Sequence, residues 1–150
     1  MLLHKSRLNL CEHGGMAQLA KTIEEAQAEV VFIDSLSNTH TAQENDNTEM
    51  RRVVDAVGHV CANLGVTAGI VHHWGKPQQG RQNEDRTRGA SSIRDAVWTE
   101  IGFSRVGREE TKRKLEFFKI RSGPAIKPVY VDLDPLRGIY VVTAEESVCP

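Results

Sequence analysis

Apolar positions along the chain fall into alternating strand-like and helix-like stretches, and their order gives the architecture. Val30-Val31-Phe32-Ile33 is a short run of β-branched and aromatic residues that ends in Asp34 and Ser35. Such a run between two helix-period stretches predicts a buried strand of a parallel sheet. Before it, Met16, Leu19, Ala20, Ile23 and Ala26 recur at helical spacing and predict an amphipathic helix over about 15–28. After it, a polar stretch from Ser35 to Asp46 predicts a projecting loop. Asp46, with Glu49 three residues on, is close to a capping box for a helix whose apolar face is Met50, Val53, Val54, Val57, Val60, Cys61 and Leu64. Gly65 suits its end, and Val66–His73 predicts a second buried strand.

Strand, helix and strand in this order make a βαβ unit. It brings Asp34 and the pair His72-His73 to the same edge of the sheet, where open α/β sheets bind ligands.

Beyond this unit the pattern changes. Residues 74–88 have no apolar periodicity and predict a long loop, a feature that in a compact domain is usually functional. A short helix over 89–97 follows. Strands are then predicted over 98–106, 114–121, 127–134 and 139–143, with a charged turn at 107–114 and a hairpin turn at Ser122-Gly123-Pro124. At the other end, residues 7–10 predict a short edge strand, and 12–15 a turn.

Composition narrows the class. A chain of 150 residues with 39% hydrophobic and 26% charged content reads as one globular domain, 1–150, able to bury roughly 70% of its unfolded surface. No apolar stretch nears the about 18 residues needed to cross a bilayer, so no membrane partner is expected. Three dispersed cysteines indicate neither a disulfide framework nor a zinc site, and a reduced, cytoplasmic setting is expected. The net charge of −1 conceals a split: residues 74–128 hold 13 Lys+Arg against 7 Asp+Glu. One segment is thus basic, which suits a polyanionic partner.

Several side chains have chemistry to offer. Asp34 can hold a Mg²⁺-bound water beside a phosphate or simply cap the turn after its strand. His72 or His73 can hydrogen-bond a phosphate oxygen, or end a strand with a polar group. Lys119 and Arg121 alternate on one face beside a hairpin and can reach out toward phosphate charge, or protect an edge strand. Lys76, Arg81, Arg86 and Arg88 can grip a single-stranded backbone while Trp74 stacks on a base; the same residues also suit a plain surface loop.

In this order, the features from about Leu8 to Asp134 resemble the C-terminal part of a RecA-like P-loop ATPase of the RepA-type and DnaB-type hexameric helicase group, an AAA ATPase domain. Val30–Ser35 is similar to the group's Walker B strand and Glu44–Asn47 to the polar entry of its next helix. His72-His73 with Lys76 resembles the strand end that senses nucleotide. Arg88-Gly89-Ala90-Ser91-Ser92 is similar to the segment after the central DNA-facing loop, and Lys119-x-Arg121-Ser122-Gly123-Pro124 to the hairpin whose basic pair acts on a neighbouring subunit's ATP.

The resemblance implies an α/β fold: a partial RecA-like P-loop NTPase sheet, a parallel βαβ core with antiparallel C-terminal strands and flanking helices. It also implies ATP and Mg²⁺ as cofactors. Asp34, Ser35 and His72 would bind nucleotide, Asp34 holding the metal through water. Asp34, His72, His73, Lys119 and Arg121 would be catalytic, and Trp74, Lys76, Arg81, Arg86 and Arg88 would contact DNA. The phosphate-cradling Gly-x-x-x-x-Gly-Lys-[Ser/Thr] loop of the Walker A half does not occur within the 150 residues, and the group's catalytic Glu has no counterpart. ATP hydrolysis by these residues alone is therefore not expected.

Expected partners are single-stranded DNA and either a second copy or a subunit bearing the Walker A loop. A reading from another class is a non-enzymatic module that keeps the fold to bind DNA or protein. A metal-dependent hydrolase built on Asp34, His72 and His73 lacks a third ligand at a suggestive spacing.

Overall fold

The computed structural model describes residues 8–44, 46–73 and 90–143. The chain divides into two compact units, Met1–Ala96 and Val97–Pro150, each with its own sheet.

The first unit is built on two parallel strands, β1 (Val30–Asp34) and β2 (Thr67–Val71), joined by helix α2 (Asn47–Leu64). Helix α1 (His13–Ala26) precedes β1, and α3 (Ala90–Ala96) follows β2 in the chain. The parallel βαβ core is as the resemblance implies.

Local chemistry explains the longest helix. The Asp46 carboxylate accepts the backbone N–H groups of Thr48, at 2.8 Å, and Glu49, at 3.1 Å, satisfying two of the donors orphaned at a helix start. Glu49 does not return the bond to Asp46; its carboxylate accepts the N–H of Gln43 at 2.8 Å. At the other end Gly65 takes φ +69°, the left-handed conformation glycine adopts without penalty. The buried face of α2 is Met50, Val53, Val54, Val57 and Cys61, and α1 and α3 pack against this helix, as does β2. Burial pushes the Cys61 thiol pKa up.

Four sequence expectations are corrected in this unit. Residues 8–10 form no strand; Leu10 is buried, and its N–H donates to the Thr39 carbonyl at 2.6 Å. Helix α1 starts two residues earlier than expected, at His13, and runs through the glycines read as a turn. Gly15 is needed there because a Cβ would collide with the Asn9 carbonyl. The stretch after β1 does not simply project. It turns at once into a 3₁₀ segment, Leu36–Asn38, with Leu36 fully buried.

The fourth correction concerns β1 and β2, which are buried on one face only. In their register Val31 faces Ala68, and Ile33 (7% exposed) faces Ile70. The opposite face carries Val30, Phe32 and Val71, exposed by 50%, 74% and 39%. The helices described cover one face of the pair, and its second apolar face meets solvent. Part of the Phe32 ring instead lies over Gly69, its direct cross-strand neighbour.

The second unit is an antiparallel meander of β3 (Thr99–Arg105), β4 (Lys112–Ile120), β5 (Val129–Asp134) and β6 (Ile139–Thr143), in that order across the sheet. Register places Ile101, Phe103, Leu115, Phe117, Val129, Val131, Leu133, Tyr140 and Val142 on one face. The Phe103 ring, from one edge strand, meets the Tyr140 ring, from the other, at 5.5 Å edge-to-face. The sheet therefore curls over its apolar face, with Val131 buried inside. Asp134 organises the β5–β6 turn: its carboxylate accepts the N–H groups of Leu136 and Arg137, and Gly138 closes it at φ +66°.

Strand ends differ from the sequence expectation at the β4–β5 connection. Only Lys112–Leu115 pairs with β5, so the expected tight turn at Ser122–Pro124 is an eight-residue loop, 121–128. Pro124 and Pro128 lack the N–H that ladder pairing requires.

Candidate functional site

The carboxyl end of the parallel pair carries the first group of residues. Register sets Asp34 opposite Val71, so His72 and His73 follow β2 at the edge where β1 delivers Asp34. Asp34 is exposed, as is His73, and His72 is partly buried. Among the described residues nothing bonds the Asp34 carboxylate, which leaves its oxygens to water and ligands. Ser35, joined to Asp34 by a cis peptide, is turned into the fold. It is 3% exposed; its hydroxyl lies 3.0 Å from the Ser37 hydroxyl and accepts the Asn38 amide at 3.1 Å.

One carboxylate fits Mg²⁺ held through water, because this hard cation keeps much of its hydration shell and takes one or two carboxylates. No group of three potential metal ligands exists among the described residues, so a site with several direct protein ligands is not formed by them.

The second group lies on the antiparallel sheet. Pairing runs Thr99 to Ile120 and Glu100 to Lys119, then skips to Ile101 and Phe117. Phe118 is thus an extra residue on β4, a β-bulge. The bulge reverses side-chain parity: Arg113, Leu115 and Phe117 line the apolar face, whereas Lys119 is delivered to the opposite one. Lys119 stands across from Glu100. One step beyond the strand, the Arg121 N–H donates to the Trp98 carbonyl at 3.1 Å, and its guanidinium lies 5.8 Å from the Trp98 ring centroid. Trp98, Glu100, Lys119 and Arg121 therefore occupy two rungs of one face. The loop that starts at Arg121 is exposed from 121 to 127.

Sequence reasoning named Lys119 and Arg121 but missed Trp98 and Glu100. The signal was an aromatic residue opening one strand and a carboxylate two positions later, but matching them to their partners required the bulge. Trp74, Lys76, Arg81, Arg86 and Arg88 lie outside the described residues, as does Asn45. Asp34 and His72 belong to the first unit, and Lys119 and Arg121 to the second.

Comparison with known proteins agrees with the α/β fold. A family model described as AAA domain matches residues 2–79. No curated protein matches the chain. Among solved structures, a DnaB-like replicative helicase, described with its interactions with primase, aligns at a TM-score of 0.70 and 14% identity over 93% of this chain and 37% of its own. A KaiC-like protein from the hyperthermophilic archaeon Pyrococcus horikoshii aligns at a TM-score of 0.63 and 16% identity, over 87% of this chain and 56% of its own. The likeness shows the fold, and the chain spans about a third to a half of the length of these structures.

Proposed function

The chain belongs to the AAA domain family, and from that premise we propose that it is the C-terminal part of a RecA-like, RepA-type ATP-dependent DNA helicase or replication and recombination ATPase. The observation that carries this is the parallel register setting Asp34, His72 and His73 at one sheet edge. There Asp34 holds a water of the metal, and a ring N–H of His72 or His73 donates a hydrogen bond to an oxygen of the terminal phosphate. Mg²⁺, when bound, neutralises phosphate charge. Lys119 and Arg121 act toward the nucleotide of a neighbouring subunit, as cations directed at transferring phosphate do. Lys76, Arg81, Arg86 and Arg88, with Trp74, track single-stranded DNA.

In this reading the phosphate-cradling loop comes from outside these 150 residues, in the same polypeptide or a partner, and residues 1–150 serve as one part of the ATPase core. Exposed Val30, Phe32 and Val71 favour association with that portion or with a second copy. These residues alone do not turn over ATP. One observation favours the non-enzymatic module instead: Ser35 spends its hydroxyl inside the fold rather than toward a ligand.

Binding of a fluorescent ATP analogue, with and without Mg²⁺, separates the two. Weak, Mg²⁺-dependent, saturable binding that Asp34→Ala removes supports the ATPase reading. Identical behaviour of parent and Asp34→Ala overturns it in favour of the module. Hydrolysis assays with and without single-stranded DNA accompany the titration; turnover by the chain alone would show that the missing loop has been replaced.

A further inference from the structure

Trp98 is 67% exposed although two contacts hold it in place. Its carbonyl accepts the Arg121 N–H, and its ring carries the Arg121 guanidinium at 5.8 Å. An indole this open is unusual for a residue that normally hides most of its surface, and its anchoring distinguishes it from a loosely exposed side chain.

The segment that pairs with it is basic. From Phe117 to Val131 the chain carries Lys119, Arg121 and Lys127 and no Asp or Glu. Within β3 and β4 the carboxylates on the same face are Glu100, opposite Lys119, and Glu116, opposite Gly102 and two residues farther along β3 from Trp98. An open π-face next to a guanidinium and an exposed basic loop is complementary to a planar ring joined to an anion. Base stacking on an aromatic side chain is sequence-tolerant because every base has a π-face, and a guanidinium forks onto phosphate oxygens.

We propose that Trp98 and Arg121 form a nucleotide-stacking platform, in which the indole takes a base and Arg121 the attached phosphate. It goes beyond the reading above, with which it shares Arg121, by assigning Trp98 a direct contact. The ligand comes either as a free nucleotide or as a unit of a single strand, and the same platform chemistry serves both.

The chain has two tryptophans, so in Trp74→Phe the emission reports Trp98 alone. Titration at low salt with a thymidine oligonucleotide, with Mg²⁺ and ATP, and with inorganic tripolyphosphate as a baseless control gives the answer. The platform predicts saturable quenching by the oligonucleotide, by ATP, or by both, and none by tripolyphosphate; the tighter ligand identifies the source. Arg121→Ala weakens that binding about tenfold, within the range of losing one charge-assisted contact. Anisotropy of the labelled form of that ligand then shows Trp98→Ala about tenfold or more weaker, the scale of one lost stacking contact, while Trp98→Phe retains most of the affinity. Circular dichroism checks that each variant is folded.

The platform is overturned by unchanged Trp98 emission with both nucleotides, by equal quenching with tripolyphosphate, or by unaltered affinity in Trp98→Ala. Asp34→Ala separates this outcome from the ATPase reading. Quenching that persists while Mg²⁺-dependent binding of the ATP analogue was never present leaves the platform standing and the ATPase reading without support. Loss of quenching with that binding intact does the reverse.

Discussion

The two sheets use similar apolar residues but close their cores differently. In the parallel pair, burial on one face comes with helices, above all α2, and the other face stays open at Val30, Phe32 and Val71. The antiparallel sheet has no helix of its own in Val97–Pro150 among the described residues and instead curls until Phe103 and Tyr140, on opposite edge strands, touch. Parallel strands need a long crossover, and the crossover helix becomes the cover. Antiparallel strands are joined by short turns, so twist and curl must do the covering. The first unit should therefore depend most on helix-borne side chains, and the second on a sheet residue and an aromatic contact.

The largest effect sharpens this difference. Met50→Ala, at a fully buried α2 position, should cost about 2–5 kcal/mol of unfolding free energy. Val131→Ala, in the curled sheet, should cost roughly 2 kcal/mol because fewer methyl groups are removed. Urea unfolding followed by circular dichroism measures both; equal costs would break the contrast.

Next comes the contact between edge strands. A double-mutant cycle on Phe103→Leu and Tyr140→Leu should give a coupling of about 0.5–1.5 kcal/mol. Zero coupling would mean that strand twist alone produces the curl.

Phe32→Ser tests the open face. At 74% exposure its effect on stability should stay within about 0.5 kcal/mol, while self-association measured by sedimentation should fall. A large loss of stability would show that the ring on Gly69 is structural.

The smallest effect is electrostatic. Lys114 holds Glu116 at 2.7 Å, and this hydrogen bond is the main reason its pKa lies above the ordinary lysine value, against a smaller opposing effect of burial. A raised lysine pKa stabilises the fold below the unfolded pKa, and the contribution disappears as pH rises through the folded value. Parent and Glu116→Gln should thus differ by about 0.5 kcal/mol or less at neutral pH and converge at strongly alkaline pH, as followed by urea unfolding across pH.

Much of the first unit was legible before its structure. The Asp46 cap, the α2 face from Met50 to Cys61, the Gly65 stop and the strand ending at Asp34 follow from spacing and from side chains that bond their own backbone. The common edge of Asp34, His72 and His73 follows from βαβ topology. The bounds of β6 were likewise readable, because the apolar run from Ile139 to Thr143 marks them. Leu36 was missed because a lone apolar residue in a polar stretch has no period to reveal it. The start of α1 was missed because Gly14 and Gly15 were read as part of a turn, whereas Gly15 is there for its lack of a Cβ against Asn9.

What the sequence determined by itself is local and periodic: which residues form helix or strand, where the caps lie, and which side chains share an element face. Tertiary structure alone decided how many faces of each sheet are covered, and it left Phe32 exposed because burial depends on what packs against a strand, not on the strand's own composition. It also decided the company kept by the basic pair. A single extra residue, Phe118, moves Lys119 off the apolar face and aligns Arg121 with Trp98. Pairing register is a property of two strands at once, and neither strand carries it alone.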